Sequence, residues 1–116
     1  MASSTDSLDN GLAGPVDLGT LAAQTGGDRR LDRDVLSLFL AKADADFARI
    51  AAATTVGERR QAAHSLIGSA GAVGAVDVTA HARAVERALE YDPHAVAALG
   101  EAVAAAARFI RKHLEA

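Results

Sequence analysis

A single histidine dominates the chemistry this sequence can offer. It sits in the stretch Arg60-Gln61-Ala62-Ala63-His64-Ser65-Leu66-Ile67-Gly68-Ser69-Ala70-Gly71-Ala72-Val73-Gly74-Ala75. On a helical wheel of about 100° per residue, Ala62, Ala63, Leu66, Ala70 and Val73 fall on one side and form a core stripe. His64 falls roughly opposite, with Arg60, Gln61, Gly68 and Gly71 around it. Imidazole, with an unperturbed pKa of ~6.5, is largely neutral and hence nucleophilic near pH 7. Glycine in a helix interior is about 1 kcal/mol less favourable than alanine, so Gly68 and Gly71 do nothing for the helix itself. They remove side chains where another protein's backbone or a phosphoryl group would approach. The pattern suits an exposed nucleophile that serves a bulky partner. A solvated surface histidine, with Gly71 and Gly74 only marking a helix end, is the plainer reading of the same residues.

Such a histidine needs a rigid scaffold, and the flanking sequence supplies one. Residues 1–14 carry Ser, Asp, Asn and Gly without periodicity and read as a flexible N-terminal tail. Residues 15–116 read as one helical domain. Asp17 caps a short helix over 17–25 that Gly26-Gly27 ends. Asp28 caps a long helix over about 29–53, with Leu36, Phe39, Ala43, Phe47 and Ile50 on one stripe. Thr54-Thr55 interrupts it. Thr55 and Glu58 form a capping box, so the His64 helix starts near Val56, runs to about Val73 and stops at Gly74. A fourth helix is predicted over 75–91, with Val78, Ala82, Val85 and Leu89 facing inward. Asp92-Pro93 starts the last helix, about 93–115, with Val96, Leu99, Val103, Ala107, Ile110 and Leu114 inward. Short connections between long helices predict an all-α, antiparallel up-down-up-down four-helix bundle with a short extra N-terminal helix.

Composition agrees with this reading and excludes several classes. Half of the 116 residues are apolar but only 3% are aromatic, and the apolar share is dominated by alanine, which favours helices over strands. The net charge is −3, with 12 basic and 15 acidic residues and no basic block, so nothing points to nucleic acid. The absence of cysteine removes disulfides and thiolate chemistry. No apolar run reaches the ~20 residues of a membrane span, and no secretory signal is visible. The default reading is a cytoplasmic protein.

Ala63-His64-Ser65-Leu66-Ile67-Gly68-Ser69-Ala70, then Gly74-Ala75, then Val78, Ala82, Val85 and Glu86, resembles the signature of histidine phosphotransfer (HPt) domains. That signature reads A-H-x-L-K-G-S-A, then G-A, then a helix ending in an L-E pair. Leu36 to Leu40, with Phe39, resembles the family's preceding helix, and the elements Asp17–Leu21 and Gly26–Asp28 resemble the opening of its fold. The similarity covers about residues 17–115. It implies a phosphoprotein of two-component multistep phosphorelays, with His64 as phosphoacceptor carrying the group between receiver-domain aspartates. Arg60, Gln61, Ile67, Gly68 and Gly71 would form the docking and phosphate environment. Receiver domains or a hybrid histidine kinase would be the partners, and Mg2+ is expected on the receiver. The chain shows no nucleotide loop and no Mg2+ site, which implies a phosphocarrier rather than a turnover enzyme.

One position departs from the signature. Ile67 stands where the family has Lys, and it cannot offset phosphoryl charge. Arg60, one turn before His64, is a candidate replacement. Alternatively Ile67 is an exposed apolar contact for the receiver. A third reading is a binding-only adaptor that docks a receiver or kinase without transfer. Elsewhere, Asp77 with His81 and His94 with Glu101 do not make the paired Glu and Glu-x-x-His sets of a di-metal bundle, so no metal site is expected, and His113 stands apart from them. His81 is expected to pack at the rim of its helix's core stripe. Phe109 and Leu38 fall off their stripes, and Leu38 could extend a docking patch. Ser69 is expected at the core edge in packing or local hydrogen bonding. Arg59 should lay its stem flat while its head reaches water.

Overall fold

The computed structural model describes residues 14–115; the predicted tail over 1–14 therefore lies, except for Gly14, outside the described residues. Among them the fold is all-helical, with α1 (Leu18–Thr25), α2 (Arg29–Ala52), α3 (Val56–Val73), α4 (Val76–Arg87) and α5 (Pro93–Glu115). The start signals work as local chemistry requires. The Asp17 carboxylate accepts from the N–H groups of Gly19 and Thr20, and that of Asp28 from Arg30 and Leu31. Asp92 accepts from His94 and Ala95 at 3.0 and 3.1 Å. At α3 both halves of the Thr55–Glu58 capping box are present. Each such contact satisfies a backbone donor that the helix itself leaves free.

Gly74 ends α3 with φ at +75°, a conformation that favours glycine. It is also the point where α1 is tied down. The Asp17 N–H donates to the Gly74 carbonyl at 2.7 Å, and a Cβ on Gly74 would lie 2.7 Å from the Asp17 carbonyl oxygen. Backbone strain and lack of space therefore select glycine together.

α3 packs against α1, α2 and α4, while α5 packs against α4 and α2. The shared core is built from Leu36, Phe39 and Ile50 of α2, Ala62, Ala63, Leu66 and Ala70 of α3, Val78, Ala82 and Val85 of α4, and Val96, Leu99 and Ile110 of α5. The four alanines among these, together with Gly100, keep facing surfaces small. A Cβ on Gly100 would come within 2.9 Å of the tip of the Phe47 ring, which records how closely α5 lies on α2.

Three expectations change. α4 ends at Arg87 instead of 91, and Leu89 is 82% exposed, not inward. Residue 92, ahead of Pro93, is steered away from helical backbone, and residues 88–92 form the connection to α5. Arg59 takes part in that connection. It is buried, its guanidinium carbon lies 5.2 Å from the centre of the Tyr91 ring, and its Nε has no hydrogen-bond partner. Cation–π attraction to the ring meets part of the charge. His81 is exposed, because α4's buried stripe of Val78, Ala82 and Val85 turns it to solvent. Leu38 is exposed as expected, and Ser69 Oγ donates to the Leu66 carbonyl at 3.3 Å. Phe109 is half-buried and stacks on His113.

The Glu58 carboxyl lies below its ordinary pKa, because the N–H and hydroxyl of Thr54, followed by the hydroxyl and N–H of Thr55, hydrogen-bond its charged form. A folded-state value below the unfolded one contributes stability above the ordinary carboxylate range and loses it as pH falls through the lowered value. The Thr54 and Thr55 amide proton resonances should therefore titrate with a midpoint below that of a free glutamate. The same resonances should show no such step in Glu58→Gln.

Candidate functional site

The rotation of α3 decides what its outer face shows. Ala62, Ala63, Leu66 and Ala70 are fully buried, which pins the helix and leaves the His64 side chain 79% exposed. A Cβ placed on Gly68 or on Gly71 would meet nothing within 4 Å. Neither glycine is required by internal packing, and the surface one and two turns beyond His64 is bare. Arg60 and Gln61 are exposed on the same face. Ile67 differs from its reading as an exposed apolar contact: it is half-buried and packs against the core cluster. Its wheel position is between the outward face and the buried side, so its Cβ leans toward the interior.

The imidazole has a hydrogen-bond partner that orients it. His64 Nδ1 lies 3.0 Å from Oε2 of Glu86 on α4, 22 residues away in sequence. The Glu86 side chain is 33% exposed. α4 buries Val85 and Ala82, and this sets Glu86 on the rim that faces α3. A carboxylate only accepts, so Nδ1 donates and carries the proton. In the neutral ring the lone pair then resides on Nε2. The two nitrogens are separated by one ring carbon, so holding Nδ1 toward α4 turns Nε2 away from Glu86 and toward the open side. The arrangement provides an oriented, solvent-facing nitrogen nucleophile with a carboxylate behind it.

On the other flank of α3 lies a polar cluster that joins it to α2. Ser65, next after His64, donates to Oδ2 of Asp46 at 3.0 Å. The Asp46 side chain is only 5% exposed. It also accepts from Lys42 at 2.8 Å and from Arg49 at 3.2 Å, and the Lys42 ammonium contacts Ser65 Oγ as well.

A family model described as Hpt domain matches residues 34–115. The chain belongs to the Hpt domain family. The match begins inside α2 and runs through α5, so it takes in His64, Glu86 and the Asp46 cluster and leaves α1 outside. No curated protein and no solved structure matches the chain. Among the described residues of this Hpt domain, no helix is long and apolar enough to cross a membrane.

Of the residues singled out from the sequence, His64, Arg60, Gln61, Gly68 and Gly71 share one open face, with Ile67 at its edge. Glu86 was legible only as part of the resemblance, with no sign that it meets His64. Lys42 and Asp46 have the spacing of a helix-surface pair, but nothing in the sequence links them to Ser65.

Open space at both glycines gives a stability prediction. Gly68→Ala and Gly71→Ala should each raise the unfolding free energy by about 1 kcal/mol, measured by urea denaturation. A loss of stability would show that these positions are packed.

Proposed function

We propose that this Hpt domain is the histidine phosphotransfer protein of a multistep phosphorelay and carries a phosphoryl group on His64 between receiver-domain aspartates. The observation that carries the reading is the exposed imidazole held through Nδ1 by Glu86, beside two glycines that keep the face clear. Family membership supports it. In this reading the four long helices form an antiparallel up-down-up-down bundle with α1 added to it, and the protein works in the cytoplasm.

The chemistry follows from the two ring nitrogens. The Nε2 lone pair attacks the phosphorus of an aspartyl phosphate on the receiver. The N–P bond forms as the P–O bond to the aspartyl carboxylate breaks, and that electron pair leaves with the carboxylate. The ring gains one positive charge, and the proton on Nδ1 stays against Glu86, whose carboxylate offsets that charge. Stabilising an imidazolium with a fixed carboxylate is a recurrent device in acyl and phosphoryl chemistry. Phosphoryl transfer depends mainly on positioning and charge stabilisation. We expect the Mg2+ that it needs to reside on the receiver. Gly68 and Gly71 let the receiver's loops come close to Nε2.

Incubation with a labelled phospho-receiver should transfer acid-labile label to the wild type and none to His64→Gln. Glu86→Gln should fold normally and accept the group about tenfold to a hundredfold more slowly, the effect of a charge-assisted hydrogen bond worth about 1.5–3 kcal/mol. Label retained in His64→Gln would refute the carrier reading. Tight receiver binding without label, unaffected by His64→Gln, would mark a binding-only adaptor instead.

A further inference from the structure

A phosphoryl group on His64 would add a charge of about −1.5 to −2 at neutral pH to a face where Ile67 supplies no cation. Two basic side chains lie near it, Arg60 on the face and Lys42 on its flank. Arg60 follows the same helix, one turn before His64, and is exposed. Lys42 comes from α2, and its ammonium rests on Asp46 and on Ser65, the residue directly after His64.

The position of Lys42 is notable because an exposed helix-surface lysine ordinarily gains little from a single i,i+4 partner. Here the partner is a buried carboxylate that three donors share: Lys42, Arg49 and Ser65. Asp46 would therefore keep two donors if the ammonium left. The Lys42 side chain is 44% exposed, on a flexible four-carbon stem, so it has room to move. His64 lies between two helices that approach α3 from opposite flanks. α4 supplies the acceptor for Nδ1, and α2 supplies the ammonium. With Nδ1 held toward α4, Nε2 turns away from Glu86, and a phosphoryl group attached there is displaced from that carboxylate, while the Lys42 ammonium waits one residue along α3, on Ser65.

We propose that Lys42 is the charge partner of phosphorylated His64: it is stored on Asp46 and Ser65 in the unmodified protein and turns to a phosphoryl oxygen as the N–P bond forms. Arg49 and Ser65 keep the buried Asp46 carboxylate satisfied while it does so. The assignment rests on the carrier reading of His64 and adds to it a second helix that senses the modification.

The chain contains only two lysines, Lys42 and Lys112, so selective lysine labelling gives two side-chain NMR signals, and Lys42→Met assigns them. Phosphoramidate can load the full chain without a receiver. Nε2 attacks phosphorus, the new N–P bond forms, the reagent's own P–N bond breaks, and ammonia leaves. On loading, the Lys42 signal should move while that of Lys112, near the far end of α5, stays. Neither should move in His64→Gln treated alike. Lys42→Met should load about threefold to tenfold more slowly, and Lys42→Arg should return to within about twofold of wild type, as a charged contact of this kind predicts. Recovery with arginine separates a charge role from a fold effect. A loaded protein with both lysine signals unmoved would overturn the role of Lys42 and leave the carrier reading intact. A protein in which His64 takes up no phosphoryl group from either phosphoramidate or a phospho-receiver would remove both.

Discussion

The hydrogen bond between His64 Nδ1 and Glu86 Oε2 is the contact on which the chemistry proposed for this domain turns. Without it, a side chain 79% exposed would sample several rotamers, and either nitrogen could carry the proton. With it, the tautomer protonated at Nδ1 is favoured and the ring is directed toward α4. The bond exists only because α3 and α4 are packed with a particular rotation about their axes, and that rotation is set by buried alanine and valine. Removal of a core side chain such as Leu66, at about 2–5 kcal/mol for a large-to-small change, would act on the site through this rotation as well as on stability.

The face of α3 is arranged at some cost to the helix. Gly68 and Gly71 weaken it without filling any close contact, in contrast to Gly74 and Gly100, where a side chain would strike Asp17 or Phe47. The two kinds of glycine have the same composition and opposite physical meaning. One kind lets the protein's own elements meet; the other leaves room for something outside it. That contrast, with an oriented imidazole between the two flanking helices, supports reading the outer face as a docking surface.

Polar groups at the helix junctions carry more of the architecture than composition suggests. Asp46 is a buried carboxylate with three donors, which meets the requirement that buried charge be paired. Arg59 is a buried cation whose partner is an aromatic ring, and the connection over residues 88–92 folds back across it. Both are charged side chains, a type that mostly faces solvent. Each is drawn inward because a neighbouring element supplies what water would otherwise supply.

Rules that act over a few residues were sufficient for much of this chain. Asp17, Asp28, Thr55 with Glu58, and Asp92-Pro93 mark helix starts because a cap reaches donors only two or three residues away, and Gly26 and Gly74 mark ends because they adopt positive φ. The outward position of His64 and the bareness around Gly68 and Gly71 followed from periodicity alone, since a helix presents fixed faces. The end of α4, the exposure of Leu89 and His81, the burial of Arg59 and the half-burial of Ile67 depended on what lies alongside. The tertiary structure alone decided that Glu86 meets His64 and that Lys42 and Asp46 meet Ser65. Those pairs span 19 to 23 residues, and they form only when helix rotation and offset, set by the whole core at once, bring the two surfaces into register.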